Sequence, residues 1–125
     1  MKAITTREDI KFIITEFYKK LIADAEMLPF FEEIIKKNHL EPHLDVITDF
    51  WQDILLDTSS YENNVLQKHL DFNKKMPFEK KHFEKWLHYL IATIDDYYEG
   101  DIAERMKGRA RSIAMVMQVK MKLFK

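Results

Sequence analysis

Apolar residues return at three-and-four spacing along most of the chain, and that period predicts helices. Ile10, Ile13, Ile14, Phe17, Tyr18 and Leu21 share one face of a first helix. Thr5 and Glu8 stand before it at capping-box spacing, and it ends near Asp24. Pro29 suits the first turn of a short helix over residues 30–37, where its missing N–H costs nothing. Pro42 repeats that arrangement ahead of a third helix with His43, Ile47, Phe50, Trp51 and Ile54 on one face, ending near Leu56 as the polar run 57–60 takes over. The polar loop continues to about Asn64, and residues 65–70 predict a helix of about two turns. Phe83, Trp86, Leu87, Leu90, Ile94 and Tyr97 stripe a long helix that Gly100 stops. Asp101 is expected to cap a last helix that buries Ile102, Met106, Ala110, Ile113 and Met117.

Two glycines and three prolines are too few for the turns of a sandwich or barrel, so the fold class is all-α. No repeat, linker or low-complexity tract divides the 125 residues, and residues 1–125 are expected to make one domain. Long helices alternating with a very short one do not match a regular up-down bundle; the pattern reads as helices wrapped around something. Lys+Arg 20 against Asp+Glu 21 gives a net charge of -1, with no cationic surplus to hold a phosphate backbone, so no nucleic-acid partner is expected. The doublets Lys36-Lys37, Lys74-Lys75 and Lys80-Lys81 are offset by nearby acids and read as solvated faces. The absence of cysteine excludes disulfides, thiolate metal sites, thiol nucleophiles and covalent cofactor attachment through C-x-x-C-H. Residues 1–12 are charged throughout and no apolar run approaches a membrane span. The expectation is a soluble, cytoplasmic protein with no membrane partner, monomeric because its apolar stripes are already used.

Five histidines are the first candidates for chemistry. His39, His82 and His88 fall at helix ends or off the stripes and read as surface residues. His39 and His43 have the spacing of a zinc pair, but Pro42 argues against one helix through both. Asp95, Asp96, Glu99 and Asp101 form an acidic group only by count, at an exposed helix end that they solvate. No G-x-S-x-G elbow, P-loop or G-x-G-x-x-G is present. Trp51, Trp86, Met106, Met115, Met117 and Met121 read as core filling. His43 leads an apolar face, and His69 sits between Leu66 and Leu70 in the shortest helix. Either one alone reads as a hydrogen-bonded core histidine. The two together, on separate helices, also fit a planar apolar cofactor lodged between them, with iron bound by one imidazole and the other facing the opposite side.

Several separated segments resemble the truncated haemoglobins, specifically their third group, from about Phe12 to Met117. Phe17-Tyr18-Lys19-Lys20-Leu21 is similar to the family's distal-tyrosine segment, and Leu28-Pro29-Phe30-Phe31 to the turn that lays a phenylalanine against the haem. Pro42-His43, followed by Ile47 and Phe50-Trp51, resembles the distal helix with its histidine at the pocket mouth. Gln67-Lys68-His69-Leu70-Asp71 resembles the proximal segment, His82-Phe83-Glu84-Lys85-Trp86-Leu87 the helix whose tryptophan reaches the distal pocket, and Arg109-Ala110-Arg111-Ser112-Ile113-Ala114 the last helix. The glycine-glycine loop motifs of the other groups are missing, as they are in the third group.

The resemblance implies a truncated globin fold, a two-over-two helical sandwich around a non-covalent haem b. It implies His69 as the iron ligand, with Leu66, Leu70, Phe72 and Phe83 on the proximal face, Phe31 and Ile47 lining the pocket, and Lys68 near a propionate. Burial of the haem faces supplies most of the affinity at about 25 cal/mol per Å² of apolar area. Tyr18 O–H and Trp86 N–H become the donors to a polarised diatomic, and His43 a gate or a weaker third donor. The partners expected are O2, NO, CO or similar ligands and a reductase. The chemistry expected is gas binding with redox turnover, such as nitric oxide dioxygenation or peroxidase-like reaction. Two other readings stay open: an oxygen carrier or gas sensor without turnover, and a haem-free helical interaction module in which both histidines are structural.

Overall fold

The computed structural model describes residues 1–58, 68, 73 and 76–123. Its helices are α1 (Arg7–Ala23), a 3-10 turn (Leu28–Phe30), α2 (Glu32–Lys36), α3 (Leu40–Leu56), α4 (Lys80–Tyr97) and α5 (Asp101–Lys120). Of the helix expected over residues 65–70 only Lys68 is described; Leu66, His69 and Leu70 lie outside the described residues, as does Phe72. Among the described residues the one extended pairing is an isolated parallel bridge between Lys2 and Tyr98.

The capping box of α1 lies one residue beyond the expected pair. Thr6 accepts from the Asp9 N–H at 3.3 Å, and the Asp9 carboxylate accepts from the Thr5 and Thr6 N–H groups at 2.9 and 3.1 Å. Thr5/Glu8 and Thr6/Asp9 have the same spacing, so a distant contact selects between them: Tyr98 O–H donates to Asp9 across the fold at 3.1 Å. Burial pushes the Asp9 carboxyl up, but the hydrogen bonds from Thr5, Lys2, Thr6 and Tyr98 outweigh it and hold the group well below the usual carboxylate range.

The helix expected over residues 30–37 is broken in two. The Phe31 N–H bonds back to Leu28 O at 2.9 Å and closes a 3-10 turn, and the Ile35 N–H to Phe31 O bond at 3.0 Å begins α2. Helix α3 begins two residues before Pro42, which was expected to open it; His39 is its N-cap, outside the helix that carries His43, and accepts the His43 N–H at 3.0 Å. Pro42 is its third residue, where the proline nitrogen has no intrahelical partner to lose. Asp57 then leaves the helix in the left-handed region, at φ 56°.

Two further expectations are corrected around α4 and α5. Tyr98 ends α4 in extended backbone, and Gly100, at φ 104°, is the N-cap of α5, its carbonyl accepting from the Glu104 N–H at 3.0 Å. That φ suits glycine, and Asp101 is therefore the first helical residue. Met115 is 60% exposed, on the opposite side of α5 from Met106, Ala110 and Met117, so it fills no core. Helix α1 packs against both α3 and α4, while α5 packs on α4 and touches α3. The shared core of Ile10, Ile13, Ile14, Leu21, Leu55, Leu90, Ile94 and Met106 is almost wholly buried. Each such side chain contributes roughly 1.5–3 kcal/mol. At one end the aromatic faces of these helices do not close on each other, and a cavity forms there.

Candidate functional site

The cavity has a volume of about 220 Å³. Helix α1 supplies Phe17 and Tyr18, the following turn Met27, Phe30 and Phe31, α2 Ile34, α3 His43, Ile47, Phe50 and Trp51, α4 His82, Phe83 and Trp86, and α5 Ile113, Ala114 and Met117; Lys68 and Phe78 complete the described walls. Those from α1, α3, α4 and α5 arrive on the inward side of their helices, so the amphipathic pattern that builds the core also builds much of this lining.

The polar atoms on the walls are few. Tyr18 O and His43 Nε2 are 3.0 Å apart, with the Tyr18 O–H donating when Nε2 carries no proton. Burial pushes the Tyr18 phenol well above its usual range, so it stays a protonated donor at neutral pH. Its ring is held by edge contacts with Phe31, Phe17 and His43 at centroid separations of 5.2, 5.5 and 5.5 Å. Phe17 meets the Trp86 indole edge-on at 6.0 Å, which sets the two potential donors on neighbouring helices around one phenylalanine. The Trp86 N–H has no hydrogen-bond partner among the described residues.

A second aromatic group closes the other side. Phe30 stacks on Phe78 at 4.8 Å and meets His82 edge-on at 4.7 Å, and Phe78 contacts Phe83 at 5.5 Å. His82, expected at the surface, is 7% exposed. Its Nδ1 accepts the Glu79 N–H at 2.8 Å, so it serves as the N3 partner of a capping box at the start of α4. Burial holds its pKa below the usual imidazole value, with Glu79 and Glu26 favouring the cation and Lys81 and Lys85 opposing it.

Of the residues singled out from the sequence, Tyr18, Phe31, His43, Ile47, Lys68, Phe83 and Trp86 all line this one cavity. Leu66, His69, Leu70 and Phe72 lie outside the described residues. The sequence reading missed His82, Phe30, Phe78 and Ala114 as lining residues. A signal existed for His82, since Glu79 and His82 have capping-box spacing just before an apolar run. None existed for Ala114, which matters only because a cavity abuts it. His39 and His88 are exposed. Among the described residues no three His, Cys, Asp or Glu side chains gather to hold a metal ion, and no helix is long and apolar enough to cross a membrane.

No family model matches the chain. In sequence it is 30% identical over 114 residues to the group 3 truncated hemoglobin ctb of Campylobacter jejuni, an alignment covering 90% of this chain and 87% of the relative. In structure it superposes on the crystal structure of group III truncated hemoglobin from Campylobacter jejuni with a TM-score of 0.86 and 29% identity, over 100% of this chain and 97% of that one.

Proposed function

The chain belongs to the group 3 truncated haemoglobins, and from that membership we propose that it holds haem b non-covalently, binds dioxygen and other small diatomics, and uses them in redox turnover such as nitric oxide dioxygenation or a peroxidase-like reaction. The walls fit such a group. They are aromatic and aliphatic on every described side, and their polar atoms are confined to Tyr18, His43, Trp86, Lys68 and His82. When bound, the haem supplies an iron at which a diatomic gas adds and exchanges electrons. His69 is the proximal ligand in this reading, by resemblance of its segment, with Leu66, Leu70 and Phe72 beside it. Lys68, exposed at the cavity, is the cation for a propionate.

The observation that carries the reading is the hydrogen bond between buried Tyr18 and half-buried His43 inside an apolar cavity that also contains Trp86. The neutral Tyr18 phenol is a donor fixed in advance, so little reorganisation is needed when a polar ligand enters. Trp86 N–H is a second donor, available because no group among the described residues uses it. Phe31 and Ile47 exclude water on the donor side, which strengthens both hydrogen bonds, while Phe83 belongs with Leu66, Leu70 and Phe72 on the proximal face. His43 trades its bond to Tyr18 for solvent when the entry opens, which makes it the gate. Two charge-assisted bonds of about 1.5–3 kcal/mol each slow ligand loss on the order of a hundredfold or more. Such retention suits turnover better than delivery. A separate reductase returns the iron to its ferrous form, and the protein acts as a monomer.

The test is spectral and kinetic. Haem-supplied protein is expected to give distinct ferric, ferrous and carbon-monoxide spectra, with His69→Ala losing the iron ligand. Tyr18→Phe is expected to speed oxygen dissociation about tenfold or more. Mixing the oxygenated protein with nitric oxide is expected to yield nitrate. Rapid oxygen release with no nitrate would identify a carrier. Absence of any haem band, with His69→Ala unchanged in spectrum and fold, would identify a helical interaction module.

A further inference from the structure

Asp24 caps the C-terminus of α1 with a side chain only 9% exposed. Its Oδ2 accepts from Tyr89 O–H at 2.6 Å and from Lys85 Nζ at 2.9 Å. Oδ1 accepts from Lys85 Nζ at 3.1 Å and from the Glu26 N–H at 2.8 Å. Glu26 closes the group, pairing with Lys85 at 2.8 Å and with Lys81 at 2.7 Å. Lys85 and Tyr89 stand one turn apart on α4 and bracket Trp86 in sequence, so one carboxylate of α1 pins α4 at two points on the flank beside its indole.

A helix pinned at two points a turn apart cannot roll about its axis, and 100° separates the directions of successive side chains. Trp86 has no hydrogen bond of its own among the described residues to fix it; its ring packs against the buried core and meets Phe17 edge-on, and both contacts turn with α4. Its direction is therefore inherited from the setting of α4. Tyr18 sits on the helix that carries Asp24, about two turns earlier. We infer that Asp24, through Lys85 and Tyr89, is a positioning residue that fixes the Trp86 indole relative to the Tyr18 hydroxyl. The inference rests on the proposed donor role of Trp86 only for its effect on ligand binding.

Tyr89→Phe removes one arm of the clamp with little change in shape, and Lys85→Met removes the other should either variant fold poorly. With two tryptophans in the chain, the ¹H–¹⁵N spectrum of the diamagnetic carbon monoxide form shows two indole N–H signals, assigned by Trp86→Phe. In either clamp variant the Trp86 signal is expected to move while that of Trp51 stays. The C–O stretching frequency is expected to shift in the direction that Trp86→Phe shifts it, and oxygen dissociation to quicken about three- to tenfold. On the Trp86→Phe background the clamp variants are expected to change neither quantity further. A lowered unfolding midpoint with the Trp86 signal and the C–O frequency unmoved would overturn the inference and leave a plain structural clamp. Full additivity on the Trp86→Phe background would overturn it as well. If the Trp86 signal moves in the clamp variants but Trp86→Phe leaves the C–O frequency unchanged, the positioning stands and the donor role of Trp86 fails.

Discussion

His82 illustrates how much one side chain can be asked to do at the edge of a cavity. Its Nδ1 takes the Glu79 N–H and its ring supports Phe30, so the same imidazole starts α4 and holds part of the wall. Both roles need the neutral form, because protonation turns the Nδ1 acceptor into a donor facing another donor and sets a cation at a helix N-terminus. Burial depresses the folded pKa below the ordinary 6.5, so between those two values the unfolded chain binds more protons. His82 therefore contributes its full stability above pH 6.5, and that contribution is lost as the pH falls from there through the folded value. Urea midpoints measured from pH 7.5 down to 5 are expected to fall for the parent chain. His82→Gln, which keeps an acceptor at N3, is expected to flatten that slope. An equal slope in both proteins would mean that another group titrates. Sequence reading left His82 at the surface because its spacing puts it beside the Phe83, Trp86 and Leu90 stripe, and the wall it meets comes from Phe30, far away in the chain.

At the level of elements, the helices α1, α3, α4 and α5 were legible because their apolar residues repeat at three-and-four spacing over many turns, a signal that needs no partner. Their ends were less legible. Thr5/Glu8 and Thr6/Asp9 are equivalent as patterns, and Pro29 announces a turn without saying that Phe31 will separate a 3-10 turn from α2. In the first case the decision belongs to a residue remote in sequence: Tyr98 chooses Asp9 over the exposed Glu8. That choice has a measurable consequence. Asp9→Ala leaves the Thr5 and Thr6 N–H groups and the Tyr98 hydroxyl without their acceptor, and is expected to cost about 1–3 kcal/mol in chemical denaturation. Glu8→Ala, which removes the acid of the alternative box, is expected to change the midpoint little. Comparable losses in the two variants would mean that the first turn is stabilised by acidic charge rather than by a particular cap. The candidate site was legible to a similar degree. Resemblance picked out Tyr18, His43 and Trp86, whereas Phe30, Phe78 and Ala114 become lining residues only when helices distant in sequence meet.

For the whole molecule, the question is what unequal helices gain by meeting around a cavity instead of closing on one another. An apo chain, with its haem extracted, leaves the apolar walls of this cavity facing water, which costs free energy. Haem reverses that cost by covering those walls, a gain contained in its affinity, and by linkage its binding stabilises the fold by about 4 kcal/mol when free haem exceeds its dissociation constant a thousandfold. Ala114 gives a test of this account. It is 3% exposed, sits on α5 and borders the cavity, so Ala114→Phe sends a ring into the space rather than into packed core. The apo form of that variant is expected to match or exceed the parent apo chain in thermal midpoint, with its helical circular dichroism intact. Titration with haem is expected to give neither a stoichiometric Soret endpoint nor the rise in midpoint that the parent shows. Filling the cavity with protein would thus stabilise the fold and abolish haem binding together. Uptake of one haem by Ala114→Phe with the parent spectrum would mean that the cofactor lies elsewhere, and the distal roles of Tyr18, His43 and Trp86 would lose their basis.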